Sequence, residues 1–324
     1  MTDAGDTPLH GAIDVHAHFV TPRLRAAMTA AGHHRPDGMP AIPDWDADSA
    51  LTVMDRTGIR AAVLSVSSPG VLLDGDLADA ARLARAVNEE GAAIVTRQPQ
   101  RFGLFASLPL PDVAAAVAEA RYALDDLDAD GIALQTNYGG AYLGDRAFEP
   151  LMAELNTRRT VVHIHPTSPA CWQQTALQRP RPMVEFLFDS TRAVAALILD
   201  GVLGRYPDIR FIVAHAGAAL PVLADRLAGF AILEDPADPV DVIGALRRLR
   251  YDVAGFALPR ALPALLNLVE PEQLLYGSDY PFTADWVVQG LAAALATTDV
   301  LSADQREHLS HRGAGDLFPR LAQS

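Results

Sequence analysis

Apolar and polar positions along the chain switch repeatedly between a two-residue and a three-to-four-residue period, the mark of strands alternating with amphipathic helices. Ala12-Ile13 lead into Asp14-Val15-His16-Ala17-His18, a strand end whose alternation lets His16 and His18 reach one point. From Ser49 the pattern becomes regular: a short helix carrying Leu51, Val53 and Met54 ends at Gly58 and feeds the strand Ala61-Ala62-Val63-Leu64-Ser65-Val66. Helix Leu77 to Val95 precedes strand Phe102 to Leu108, helix Val113 to Leu127 precedes strand Gly131 to Leu134, and helix Phe148 to Asn156 precedes strand Thr160 to His165. Helix Arg192 to Leu203 and strand Ile209 to His215 follow, then helix Pro221 to Phe230, strand Leu249 to Val253, helix Leu258 to Leu268 and strand Gln273 to Tyr276. Eight short apolar runs separated by helices predict an α/β fold, a parallel (β/α)8 TIM barrel, with residues 1–324 as one domain. No GxGxxG follows the first strand, which argues against an open dinucleotide-binding sheet. The segment Phe19 to Asp48 shows no sustained period and reads as a loop excursion over one end of the barrel, with His33 and His34 solvated and Trp45 as a pocket wall.

Composition narrows the function classes. Half the residues are hydrophobic, enough for a large core, yet no stretch approaches the ~20 apolar residues of a membrane span. The opening Met1-Thr2-Asp3-Ala4-Gly5-Asp6 lacks a signal pattern, so a cytoplasmic protein without a membrane partner is expected. A net charge of −14 argues against nucleic acid, whose phosphates need a basic face. Cys171 is the sole cysteine, which excludes an internal disulfide and a cysteine-cluster metal site. The chain contains no lysine, and all 26 basic residues are arginine. That forbids a lysine Schiff base, a P-loop lysine and a carboxylated-lysine bridge between two metals.

In a barrel of this kind functional groups stand where strands end and βα loops begin. Polar residues recur there: His16 and His18 after strand one, Asn137 and Tyr138 after strand four, His165 after strand five, His215 after strand six and Asp279 after strand eight. For any one histidine a structural role is a fair alternative; their convergence on one mouth decides for His16, His18, His165 and Asp279 as ligands. Three imidazoles and a carboxylate suit one divalent ion, Zn²⁺ first, with Mn²⁺ or Fe²⁺ as alternatives. His163 shares a strand face with His165 but is expected one layer deeper, because His165 is the last strand residue before Pro166.

Taken together, His16-x-His18, His165-Pro166, Ala214-His215-Ala216-Gly217 and Gly277-Ser278-Asp279-Tyr280-Pro281 resemble the amidohydrolase superfamily. More narrowly the chain is similar to the branch holding aminocarboxymuconate semialdehyde decarboxylase and the aromatic-acid decarboxylases. Gly38-Met39-Pro40, Ser65 to Gly70, Thr136 to Gly140 and Asp189-Ser190-Thr191-Arg192 resemble its 6-methylsalicylate decarboxylase group. The resemblance implies one ion held by His16, His18, His165 and Asp279, with His215 beside it as a catalytic group. It also implies a homodimer in which Arg226, eleven residues after His215, reaches a neighbour's substrate carboxylate. A second arginine of the semialdehyde enzyme has no match in Pro43-Asp44-Trp45-Asp46, which argues against that substrate. The C-terminal stretch His311 to Phe318 departs from the Gly-Asn-Ala helix start of related chains and leaves the packing of the last helix open.

Three functions fit these residues. The first is metal-dependent, non-oxidative decarboxylation of a small ortho-hydroxy aromatic acid, such as a 6-methylsalicylate-like substrate. Direct loss of CO₂ would leave an aryl anion that the ring cannot delocalise, so the carbon bearing the carboxylate is protonated first. The ion holds the carboxylate and phenolic oxygens, Asp279 delivers the proton, and His215 orients the substrate or tunes Asp279. Tyr138, Trp172 and Phe188 are the expected cavity walls. The second is hydrolysis of an amide, ester or lactone, in which the metal lowers the pKa of water from ~16 toward ~7 and Asp279 or His215 accepts the proton. The third is a metal-binding barrel without catalysis.

Overall fold

The structure is a computed structural model and describes residues 9–322. The Met1 to Asp6 stretch lies outside them. Eight strands, β1 (Ala12–His18), β2 (Ile59–Ser65), β3 (Phe102–Ser107), β4 (Gly131–Gln135), β5 (Val161–His165), β6 (Arg210–Val213), β7 (Arg250–Asp252) and β8 (Leu274–Leu275), pair in parallel in sequence order. β8 is short, but the chain beyond it closes the ring on β1. Val15 N donates to the Tyr276 carbonyl at 2.9 Å, Asp279 N to that of His16 at 2.7 Å and His18 N to that of Tyr280 at 2.7 Å. A (β/α)8 barrel results, as the alternation predicts. Among the described residues no helix is long and apolar enough to cross a membrane.

Several helices start where short polar side chains satisfy free backbone N–H groups. Asp46, Asp76 and Asp112 cap α2 (Ala47–Thr57), α3 (Leu77–Arg97) and α4 (Val113–Asp125), and Gly58 ends α2 in the left-handed region at φ 80°. Further outer helices include α5 (Glu149–Thr157), α6 (Glu185–Leu199), α7 (Leu220–Glu234) and α8 (Asp285–Thr297). The loop expected over Phe19 to Asp48 contains a helix, α1 (Pro22–Ala30), started by the Thr21 hydroxyl and Pro22. Its nine residues are too few to show a sustained period. His33 is not solvated: it is half-buried and its Nε2 lies 2.8 Å from the Leu73 carbonyl. Trp45 packs edge-on against Phe19 and lines a small cavity with His18 and Tyr280.

The inside of the barrel is divided by depth. Ile13 and Val15 of β1, Ala61 and Val63 of β2, Phe105, Ala133, Val161, Ile212 and Leu275 fill the lower part. The C-terminal segment plugs the open bottom with Ala314, Leu317, Phe318 and Leu321, all buried against them, which settles the packing left open by its unusual sequence. Burying so many methyl and aromatic groups leaves only the upper end of the barrel for polar chemistry. Phe318→Ala removes a ring packed against Phe105 at 5.6 Å. It is expected to cost about 3–5 kcal/mol in denaturant unfolding; a loss below about 1 kcal/mol would show that the plug does not support the barrel.

Candidate metal centre

The first histidine pair depends on a fault in the β1–β2 ladder. Asp14 faces Ala62 and Ala17 faces Leu64, so β1 spends three residues where β2 spends two. This bulge reverses the alternation: Ile13 and Val15 point into the lower core, and above them His16 and His18 point inward too. Asp14 fills the gap in the ladder, its Oδ1 accepting from His16 N and Ser278 N, each at 3.0 Å. His16 Nδ1 lies 2.9 Å from Asp252 Oδ2, and His18 Nδ1 lies 2.9 Å from Ser65 Oγ. A carboxylate only accepts, so His16 carries its proton on Nδ1 and turns a bare lone pair on Nε2 inward. That Nε2 is buried with no hydrogen-bond partner among the described residues.

Asp279 closes the group from the loop after β8. Its oxygen stands 3.1 Å from His18 Nε2 and 3.6 Å from His16 Nε2. Its backbone is left-handed, at φ 59°, a conformation that costs roughly 1–3 kcal/mol and that the surrounding contacts must hold. Gly277 permits the approach, since a Cβ there would lie 2.8 Å from that of His16. With His165 at the end of β5, one donor atom from each of the four residues lies within 4.8 Å of the others. Three nitrogens and a carboxylate oxygen so gathered, with a buried lone pair that no protein group satisfies, fit a single divalent cation.

The structure adds a residue that the sequence reading passed over. Asp252, fully buried at the end of β7, accepts from four donors through two oxygens: Oδ2 from His16 Nδ1 and His163 Nε2, each at 2.9 Å, and Oδ1 from His215 N at 3.0 Å and Ala254 N at 3.1 Å. A lone carboxylate within the predicted strand Leu249 to Val253 is the available signal. His163 stacks on Phe105 one layer below the cluster, as its position predicts.

These contacts set the charges. Burial would raise Asp252, but His16 and His163 overcome it and hold the carboxyl well below its ordinary range. Asp279 is held low in the same way, against burial, by His18, His215 and His16. Burial lowers His16 to about 4 despite the pull of Asp252, and burial, with help from His18 and His16, also holds His165 well below its ordinary value. Both imidazoles are therefore neutral at neutral pH and free to coordinate. His215 sits in a distorted turn after β6, with left-handed φ at His215 and Ala216, and its Nε2 lies 3.8 Å from Asp279 Oδ2. Burial opposes its charge, but Asp279 and Asp252 outweigh burial and raise its pKa.

Above the cluster opens a cavity of about 700 Å³. His165, His215 and Asp279 line its polar part, and Met183, Phe186, Leu187, Phe282 and Val287 give it apolar walls. The expected walls lie elsewhere. Phe188, 46% exposed, is on the outer side of α6, whose residues Phe186 and Leu187 face the cavity instead; helical spacing does not allow all three. Tyr138 and Trp172 line a neighbouring cavity, where the Tyr138 hydroxyl accepts from Gln135 N and Trp172 lies under the Arg181 guanidinium at 4.2 Å. Arg226 is exposed on α7 over the Phe230 ring and does not line the cavity of its own chain.

A family model described as amidohydrolase matches residues 13–320 of the chain. The chain belongs to the amidohydrolase family. It is similar to the 6-methylsalicylic acid decarboxylase of Aspergillus aculeatus, 40% identical over 333 residues that cover 96% of this chain and 97% of that one. A crystal structure of an amidohydrolase II superposes with a TM-score of 0.90 at 35% identity, covering 95% and 99% of the two chains. The dihydroxybenzoic acid decarboxylase of Polaromonas sp. JS666, solved with bound manganese and 2-nitroresorcinol, shares the fold of this amidohydrolase at a TM-score of 0.82 and 22% identity, covering 97% and 98%.

Asp252 generates a direct expectation. In Asp252→Asn the shape remains but the charge that fixes the His16 tautomer is gone, so metal affinity should fall about 10–100-fold. Chelator competition followed by metal analysis measures it, and unchanged affinity would remove Asp252 from the support of the cluster.

Proposed function

We infer that the protein is a metal-dependent carboxy-lyase that removes CO₂ from a small ortho-hydroxy aromatic acid of the 6-methylsalicylate type. The observation that carries this reading is an ionised Asp279 at the floor of an apolar-walled cavity, beside three histidines, in a chain that closely resembles decarboxylases of this class. His16, His18, His165 and Asp279 would hold the ion, Zn²⁺ or Mn²⁺ by donor type, and manganese is the ion of the Polaromonas relative. When bound, the ion supplies positive charge opposite the substrate's carboxylate and phenolic oxygens.

The chain's own residues carry the proton and the orientation. Met183, Phe186, Leu187 and Phe282 enclose the ring and its alkyl group and keep bulk water from the reacting carbon. His215, 3.8 Å from Asp279 and with its pKa raised by that carboxylate, is a proton reservoir outside the set of residues that would hold the ion. Asp279 passes the proton to the carbon that bears the carboxylate, while the electron pair of the ortho oxygen supports the new C–H bond. The carbon–carboxylate bond then breaks, its electrons restore the aromatic ring, and CO₂ leaves; one proton is consumed per turnover. Hydrolysis would use the same donors but calls for a water beside the scissile bond, which the apolar walls disfavour.

We further propose a homodimer. Val222, Phe230 and Leu233 form an exposed apolar stripe on α7 beside Arg226, a face suited to a second copy and the route by which Arg226 would approach a neighbouring site.

Metal-loaded protein should release CO₂ from 2-hydroxybenzoates, with apolar groups at ring position six preferred; no release from any of them overturns the reading. Asp279→Asn, assayed at saturating metal with metal content checked, should lower kcat by about 10²–10⁴-fold. Near wild-type turnover would take Asp279 out of the proton transfer.

A further inference from the structure

The cavity wall carries one charged group that the reaction does not use. Asp37, in the turn between α1 and α2, lines the substrate cavity and the neighbouring one, yet is only 5% exposed. Two left-handed residues, Asp37 at φ 51° and Gly38 at φ 79°, bring it there. Its Oδ1 accepts from the Ser168 hydroxyl, and the turn is pressed against Arg181 so closely that a Cβ on Gly38 would lie 2.8 Å from Arg181 Nη1. The chain thus spends unfavourable backbone geometry to place a carboxylate at the barrel mouth.

Its counter-charge stands on the other side. Arg181 Nη2 is 3.9 Å from Asp37 Oδ1, its Nε donates to Ser168 Oγ at 3.0 Å and its guanidinium covers Trp172. Arg181 lines the neighbouring cavity and not the substrate cavity. The chain has no lysine, and among the described residues no arginine lines the substrate cavity. From its own chain a ligand there meets positive charge at the metal cluster and a carboxylate, Asp37, on the wall.

We propose that Asp37 selects substrates by charge: it excludes aromatic acids with a second ionised group on the ring and admits those whose only charge is the carboxylate turned toward the metal cluster. This rests on the decarboxylase reading and names the class of acid within it. The cluster can neutralise one carboxylate. A second anion would lie among Phe186, Leu187, Phe282 and Val287, where desolvation is costly and repulsion by Asp37 is weakly screened. Arg181 moderates that repulsion from behind, so the two residues should act in opposite directions.

The test compares wild type, Asp37→Asn and Arg181→Gln, all metal-loaded. The substrates are 2-hydroxybenzoate and its analogues with a second carboxylate or a sulfonate at each open ring position. In Asp37→Asn the ratio of kcat/KM for dianion over monoanion should rise at least tenfold for one or more ring positions, and in Arg181→Gln it should fall. A ratio within twofold of wild type at every position in Asp37→Asn, or a rise in Arg181→Gln, overturns the proposal. If no acid releases CO₂ from wild type, the decarboxylase reading has failed. Calorimetric Kd values for benzoate and isophthalate in wild type and Asp37→Asn then still decide: a tenfold gain for isophthalate relative to benzoate supports charge selection, and an unchanged ratio refutes it.

Discussion

One buried carboxylate holds the working end of this barrel together. Asp252 ties β1 through His16, β5 through His163 and the turn after β6 through the His215 amide, and all three connections converge on two oxygen atoms. A buried charge stripped of its partners typically costs 3–5 kcal/mol, so these groups are held in register or the arrangement is lost. The same interaction fixes the proton of His16 on Nδ1 and leaves Nε2 directed at the cluster. Orientation, protonation and position of the first ligand therefore have one cause.

The rest of the mouth follows from a division of labour along the barrel axis. Apolar side chains and the C-terminal plug fill the lower half, and the bulge in β1 is where the inward-facing residues change from Ile13 and Val15 to His16 and His18. Backbone strain is concentrated above that line. Asp279 and His215 both adopt left-handed conformations, and each is restrained by bonds to a neighbouring strand: Asp279 N to the His16 carbonyl, His215 N to Asp252. Rigid strands below and strained turns above give a small cluster whose four donors come from three separate strand ends.

Much of this is legible in the chain itself. Eight apolar runs between helices encode the barrel, and His16, His18, His165 and Asp279 stand out because each is a polar residue at the end of such a run. Asp252 also ends a strand, but it is a lone carboxylate whose partners His16, His163 and the His215 amide come from other strand ends, so only the closed barrel brings them together. The bulge leaves no compositional trace because one extra residue in a ladder is a property of two strands paired, not of either alone. Helix α1 escapes for lack of length. The cavity walls are not legible for a related reason: Phe186, Phe188, Trp172 and Tyr138 are equally aromatic in sequence, and only the rotation of α6 and the separation of the two cavities by Asp37 and Arg181 determine which of them face the cluster. Arg226 points away from its own cavity, so any role for it depends on a neighbouring copy.

The central claim, that this mouth places a proton on the carbon that loses CO₂, is tested most directly by isotope content of the product. Metal-loaded protein acting on a 6-alkyl-2-hydroxybenzoate in D₂O enriched in oxygen-18 should give a phenol one carbon shorter, with a single deuterium at the former carboxylate position and no oxygen-18 in the phenol. Acid recovered with every carbon in place and no CO₂ released, while the corresponding methyl ester gains oxygen-18 in its freed carboxylate, would contradict the account and identify the same cluster as a hydrolytic one.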